Sequence, residues 1–339
     1  MRPTIYDVAR EAGVAPSTVS RAFSRPGRVN PDTVQRIRAV AELLGYRTNL
    51  LARALPTGKT SMIALVVSDI TNPTYFPVIR GAEAAAAEAG FTLLLADAQE
   101  SQHTEREAIE RTLPVIEGML FSGPRLSDTA IRTAAQQVPV VVLHRAVAGV
   151  PAVVTDNALG MRQAVEHLAS LGHQSITYVS GPEASWADGE RWRAIREACA
   201  KLDMRSRRIG PCRPTMSGGV SAVADLRRQP CTAVVAYNDL IAIGLLRGMA
   251  QAGVRVPGDV SVVGFDDILG SDFCTPALTT VAAPLRALGT AAVQHLITQA
   301  RGSTADLGPP IVLPARLVVR GSTAPPGGGQ RGRKRISLV

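Results

Sequence analysis

From residue 61 onward, short apolar runs alternate with helix-length segments, and this alternation restricts the fold more than any other feature of the chain. Met62–Val67, Phe91–Ala96, Val115–Phe121 and Val138–Leu143 read as strands, with helices over 76–89, 104–113 and 127–137 between them. The pattern restarts at Ser175–Val179 and continues through Thr232–Tyr237 and Val260–Phe265. These strands are largely apolar runs, so both their faces are covered, as in parallel sheets joined by crossover helices. Two such series in a chain of 339 residues, 46% of them hydrophobic, predict two α/β subdomains, each a doubly wound parallel sheet. Ligands of such sheets bind beyond the carboxyl ends of the strands. Polar residues stand at those ends: Asp69 and Asn72, His144 and Arg145, Asp156 and Asn157, Asn238 and Asp239, Asp266 and Asp267. A cleft between the two sheets is therefore expected to enclose a small polar molecule.

The first 45 residues have a different period. Thr4 with Asp7 forms a capping-box pattern, and Ile5, Val8, Ala9 and Ala12 repeat on one helical face before Gly13 stops it. Pro16 opens a second helix in which Val19, Ala22 and Phe23 turn inward and Ser17, Thr18, Ser20 and Arg21 outward. Asn30 and Pro31 start a third, with Val34, Ile37, Ala41 and Leu44 on its inner face and Gly45 at its end. Helix, short turn, helix, with a hydroxyl-rich and basic outer face on the second, is the helix-turn-helix layout, in which that face enters the major groove of DNA. A plain three-helix bundle would show the same periodicity; the charge tips the balance. Residues 1–60 carry ten Lys or Arg against four Asp or Glu, and 321–339 carry four basic residues and no acidic one, so the long segment between is nearly neutral. Basic ends on a neutral body are the footprint of a polyanion binder, although a solvated charged surface would look alike.

Several function classes drop out. The four cysteines, Cys199, Cys212, Cys231 and Cys274, show no C-x-x-C spacing, which argues against a disulfide framework or zinc site and fits the cytoplasm. The amino terminus lacks the pattern of an export signal, and no apolar run is long enough to span a membrane. Gly58-Lys59-Thr60 is not a P-loop, because Arg53 stands where that motif needs glycine. No nucleophile elbow or H-E-x-x-H pattern occurs, so no enzyme activity, cofactor or metal is expected. His167 and His173 read as hydrogen-bonded core residues.

Read in order, a set of segments resembles the lactose/galactose repressor family of bacterial transcription regulators over residues 3 to 323. They are Thr4–Ala9, Ser17–Arg21, Leu44–Tyr46, Asn72-Pro73, His167-Leu168, Leu171–His173, Asn238-Asp239, Val256-Pro257, Asp259–Ser261, Val263–Asp267 and Leu278–Thr280. The resemblance implies a helix-turn-helix headpiece over 1–46 and a hinge helix and linker over 47–60. It also implies a core over 61–323 like the periplasmic sugar-binding proteins. That core comprises subdomains 61–158 plus 284–313 and 159–283 plus 314–323, crossed near 157–161, 280–284 and 313–316. Residues 324–339 read as a disordered basic tail.

Carried over residue by residue, the resemblance assigns base contacts to Pro16, Ser17 and Arg21. Phosphate contacts fall to Tyr6, Thr18, Ser20, Ser24, Arg28, Asn30 and Thr33. Leu55, with Asn49 and Ala52 beside it, matches a leucine wedge for the minor groove, though packing against the core would also employ it. Arg191, Asn238 and Asp266 match effector contacts, Tyr75 an aromatic at the cleft mouth, and Trp186 a residue in a specificity loop. His144 stands where the family usually has a sugar-binding aspartate, and Ala15 where it commonly has a serine cap. The implied partners are a pseudo-palindromic double-stranded DNA operator, a second copy of the chain and a small effector such as a sugar or sugar derivative. The implied function is a repressor under allosteric control. A free sugar-binding protein with the same core is the rival, set apart by the basic amino-terminal segment.

Overall fold

The computed structural model describes residues 3–46, 60–300 and 308–327. Two compact units emerge, Met1–Ser61 and Met62–Val339.

The smaller unit holds α1 (Ile5–Glu11), α2 (Pro16–Ser24) and α3 (Pro31–Leu44). Its core is small and closed: Val8, Val19, Ala22 and Ile37 are fully buried, with Phe23 set against Tyr46 at a centroid distance of 6.1 Å. The helix ends explain the turns. The Asp7 carboxylate accepts the Thr4 backbone N–H (2.9 Å) and hydroxyl (2.7 Å). The Asn30 side chain accepts the Asp32 N–H, and Gly45 closes α3 in the left-handed conformation at φ 66°. Ala15 begins α2 with no side-chain cap.

The larger unit contains two sheets. The first is built from β1 (Met62–Val67), β2 (Thr92–Asp97), β3 (Met119–Ser122), β4 (Val140–Leu143), β5 (Ala152–Thr155) and, late in the chain, β11 (Ile311–Leu313). Its order is β11-β5-β4-β3-β1-β2, all parallel. The second holds β6 (Ser175–Val179), β7 (Arg205–Ile209), β8 (Ala233–Ala236), β9 (Ser261–Asp266), β10 (Thr279–Ala282) and β12 (Arg316–Val318). Its order is β12-β10-β9-β8-β6-β7, parallel except for the β10–β12 pair. In each sheet the first strand along the chain pairs on both sides, which creates a switch point at its carboxyl end where crossover loops part in opposite directions.

Alternate residues along β1 serve opposite faces. Ile63, Leu65 and Val67 meet α4 (Tyr75–Glu88) and a helix from the far end of the chain, Leu285–Ala300. Ala64 and Val66 meet α5 (Gln102–Thr112) and α6 (Asp128–Ala135). The second sheet is covered likewise by α7 (Asn157–Ser170) and α8 (Trp186–Lys201) on one face, and by α9 (Met216–Arg228) and α10 (Asp239–Gln251) on the other. Leu285–Ala300 is α11. The chain passes between the two lobes at Asp156, at Ala283–Pro284 and at Pro314–Ala315.

The largest shortfall of a strand from its apolar run is at β3. Val115–Phe121 was the expected span, but Leu113–Val115 forms a 3-10 turn and β3 begins only at Met119. Pro114 has no N–H to give a ladder, so the strand starts beyond it. At the carboxyl end, the Ala324 carbonyl accepts the Ser261 hydroxyl (3.0 Å) and lies 3.1 Å from His173 Nε2, which ties that residue to the core. The strongly basic residues that follow lie outside the described residues.

Two helix pairs touch backbone to backbone. A Cβ on Gly81 of α4 would lie 2.1 Å from the Arg286 carbonyl oxygen, and one on Gly289 of α11 would lie 2.1 Å from that of Val78. Gly219 and Gly244 bring α9 and α10 together in the same manner. Replacing Gly289 with alanine is expected to cost about 1–3 kcal/mol through overpacking and to lower the melting midpoint by several degrees. Gly189→Ala, at a helical position with nothing within 4 Å of the added carbon, is expected to raise stability by about 0.5–1 kcal/mol. Thermal melts of the two variants, compared with the parent chain, check the contrast.

Candidate functional site

The headpiece offers one face. On α2, Pro16, Ser17, Ser20, Arg21 and Ser24 follow one another at helical spacing and form a stripe. Ser17, Ser20 and Arg21 are exposed, and Arg21 has no ion-pair partner among the described residues. Thr18, turned outward in the sequence reading, is half-buried, as are Pro16 and Ser24. The Ser24 hydroxyl donates back to the Ser20 carbonyl at 2.8 Å and keeps its lone pairs free. Tyr6 is 71% exposed at the start of α1, Arg28 is exposed at the end of a 3-10 turn, and Asn30 and Thr33 sit at the first turn of α3. Asn30 spends its carbonyl oxygen on the cap and has only its NH2 left to offer. Asn49, Ala52 and Leu55 lie outside the described residues.

The second site is the cleft between the lobes. Its walls are the segments just past the carboxyl ends of β1 to β4 in the first sheet and of β6 to β9 in the second. Tyr75, His144, Trp186, Arg191, Asn238 and Asp266 all face it, brought together from five separate stretches of chain. The enclosed cavity is about 50 Å³, far below the roughly 300–1,000 Å³ usual for small-molecule sites. A ligand therefore enters only when side chains or lobes shift. An outer cavity of about 650 Å³ adjoins it and shares Glu100, Arg125 and Pro214 in its wall.

Arg191 is clamped. Nε donates to Asn157 Oδ1 (3.0 Å), Nη1 to the Tyr237 carbonyl (2.5 Å), and Nη2 lies 3.5 Å from Asp266 Oδ1. Its guanidinium also covers the Phe265 ring, 3.5 Å from the centroid. Burial pushes the Asp266 carboxyl up to about 6, against the pull of Arg191 and Thr74. Asn238 caps α10, its side-chain oxygen accepting the Ile241 N–H at 3.0 Å, which leaves the amide nitrogen to a ligand. Next to it, buried Asp239 accepts from Ile268 N (3.0 Å), Ser271 Oγ (2.6 Å) and Thr280 Oγ1 (2.5 Å). Burial, then the Asp266 charge, raises its carboxyl to about 7. Its role is to hold the loop that follows Asp266.

Two expected placements change. Tyr75 is not at the cleft mouth: it is only 6% exposed in the wall, with its hydroxyl 2.5 Å from Ser68 Oγ. Trp186 is not in a loop but is the first residue of α8, because Ser185 caps that helix by accepting the Asp188 N–H. The sequence reading also missed Glu100, Arg125 and Tyr237. Arg125 grips Glu100 with Nε (2.6 Å) and Nη2 (3.0 Å), across 25 residues of sequence that carry no motif. Each stands three residues beyond the end of its strand, so the strand-end rule reaches them once it is carried past the turn.

Residues 4–49 match the family model described as bacterial regulatory proteins, lacI family, and residues 165–323 match the periplasmic binding protein-like domain. The HTH-type transcriptional regulator DegA of Bacillus subtilis (strain 168) is 32% identical over 336 residues, covering 96% of this chain and 99% of that protein. The chain belongs to the lacI family of bacterial regulatory proteins. Among solved structures, this family member resembles the lac repressor dimer bound to operator and the anti-inducer ONPF, with TM-score 0.85 and 26% identity over 96% of this chain and 100% of that one. The transcriptional regulator CelR–cellobiose complex matches with TM-score 0.70 and 30% identity, covering 95% of this chain and 100% of that one. This lacI-family chain is a DNA-binding transcriptional regulator built from a helix-turn-helix headpiece and a periplasmic-binding-protein-like core. No helix among its described residues is long and apolar enough to cross a membrane.

The uncapped start of α2 makes one outcome measurable. Ala15→Ser supplies an oxygen for the first free N–H groups and is expected to stabilise the helix by about 1 kcal/mol. Amide exchange in the full-length protein should slow across α2 by roughly fivefold and stay unchanged in α7.

Proposed function

We propose that the chain acts as a homodimeric repressor whose operator affinity is set by a small uncatalysed ligand in the cleft. The observation that carries this reading is the convergence of Arg191, Asn238 and Asp266 from one lobe with Tyr75 and His144 from the other on a single cavity. A ligand that bridges them changes how the lobes lie against each other, and the narrowness of the cavity requires such a change. The ligand is a sugar or sugar derivative, in keeping with the cellobiose held by CelR. Two headpieces then meet half-sites of a pseudo-palindrome, as the lac repressor dimer meets its operator.

In this reading residues 1–46 form the headpiece, 47–60 the hinge, 61–323 the effector-binding and dimerising core, and 324–339 a basic tail. Pro16, Ser17 and Arg21 read bases; Tyr6, Thr18, Ser20, Ser24, Arg28, Asn30 and Thr33 hold phosphates; Leu55, flanked by Asn49 and Ala52, enters the minor groove. Operator binding places the protein in the cytoplasm. The cleft binds and does not turn over its ligand, because Asp266 is held by Arg191 and Asp239 by three donors. Chemical change in a bound sugar would overturn that point. The same coupling runs both ways: effector and operator alter each other's affinity by one factor.

A thermal-shift screen against sugars, followed by binding to promoter fragments with and without each hit, tests the whole reading. Arg21→Ala is expected to cost about 1–3 kcal/mol of operator binding and to relax preference at one base pair. Competition with random duplex checks this, and an equal loss on both duplexes would count against base readout.

The Asp266 carboxyl gives a pH signature. Its value of about 6 lies above that of a free aspartate, so it keeps its proton over a mildly acidic range in which a free aspartate is ionised. Ligand hydroxyls bond best to the ionised form, so binding releases a proton and affinity climbs as pH rises through about 6. Calorimetry between pH 5 and 7.5 should find this rise, and Asp266→Asn should flatten it.

A further inference from the structure

The charges that face the cleft are already matched. Arg125 grips Glu100 through two hydrogen bonds and gives Nη1 to the Gly123 carbonyl at 3.2 Å. Arg145 is paired with Asp128 and gives Nη1 to the Leu126 carbonyl at 2.7 Å. Arg191 has Asp266, Asn157 and the Tyr237 carbonyl. No guanidinium of the lining is left to receive an anion.

One polar atom is left over. Among the described residues of the lining, His144 Nε2 is the single buried side-chain polar atom without a hydrogen-bond partner. Buried polar atoms are nearly always paired, so an orphan at a binding cleft points to the ligand. The backbone supports the same conclusion. His144 has φ 64°, a conformation that side-chain-bearing residues seldom adopt. It is held there by its N–H bond to the Val153 carbonyl (3.1 Å) and by edge-on contact with Tyr75, 6.3 Å between centroids. The imidazole brings no charge: burial, helped by Arg191 and Arg125, pushes it down to about 4.

We propose that the effector is an uncharged polyhydroxy compound, selected over phosphorylated and acidic sugars, and that His144 Nε2 makes the hydrogen bond that specifies it. The proposal rests on the reading of the cleft as the effector site and narrows its ligand. A phosphate or carboxylate would have to displace Glu100 or Asp266 from its guanidinium, or lie unpaired beside them in a desolvated cleft. A hydroxyl pairs with Nε2 in either imidazole tautomer, since it both donates and accepts.

The test is calorimetry at pH 7.5 on the full chain with D-glucose, D-ribose and cellobiose, and with glucose 6-phosphate, ribose 5-phosphate and D-glucuronate. His144→Leu, His144→Gln and Asn238→Ala are measured beside the parent, each first shown by its melting midpoint to be folded. At least one neutral compound should bind, with its charged counterpart roughly 100-fold weaker. His144→Leu should weaken the neutral ligand roughly tenfold and His144→Gln should recover most of that loss. A charged compound that binds as well as its neutral parent, and loses affinity in Asn238→Ala, overturns the proposal and leaves the cleft reading standing. So does a neutral ligand weakened by Asn238→Ala but indifferent to His144→Leu. Binding indifferent to both Asn238→Ala and His144→Leu, or no binding by any member, overturns both.

Discussion

The buried guanidinium of Arg191 is the interaction on which the cleft depends. It reaches Asn157 at the first passage between lobes, the Tyr237 carbonyl at the end of β8, and Asp266 at the end of β9. A cation so placed is stable only because donors and acceptors surround it and the Phe265 ring lies beneath it. Removing it would leave the Asp266 charge in a poorly solvated wall with Thr74 as its remaining side-chain partner. The polar groups of this wall are thus paired with one another before any ligand arrives.

Around that point the chemistry divides by lobe. The second lobe supplies anchored polar groups at helix starts, Asn238 above all, whose capping bond fixes its rotamer and aims its amide nitrogen. The first lobe supplies Tyr75 and His144, with a wall of matched charge. Asp239 extends the arrangement outward, because the carboxylate beside the ligand-facing Asn238 also holds Ile268 and Ser271. A ligand that moves Asn238 or Asp266 thereby bears on the loop after β9, which carries exposed Leu269 and Phe273.

Much of this was legible in the chain itself, for identifiable reasons. Met62–Val67 is apolar on both faces, as a covered strand is, and its bounds and those of Ser175–Val179 were readable to the residue. The helical phase of Val19 and Ala22 gave the inner side of α2 and, by exclusion, the outer stripe. What escaped depended on contacts between distant segments. Nothing near Glu100 or Arg125 announces that they face each other, since their meeting is set by the order of β1, β2 and β3 in the sheet. Tyr75 was expected at the cleft mouth because the resemblance places an aromatic there; only the packed structure shows it inside the wall with its hydroxyl against Ser68. Trp186 was placed in a loop by the resemblance alone, whereas the Ser185 cap starts the helix at Trp186 itself.

The glycine contacts described above have a mechanical consequence. With Gly81 against Arg286 and Gly289 against Val78 in one lobe, and Gly219 against Gly244 in the other, neither helix pair has a slip plane. Movement of one lobe against the other must run through the three single-strand tethers at Asp156, Ala283–Pro284 and Pro314–Ala315. A molecule wedged between the lobes therefore acts on those three tethers together.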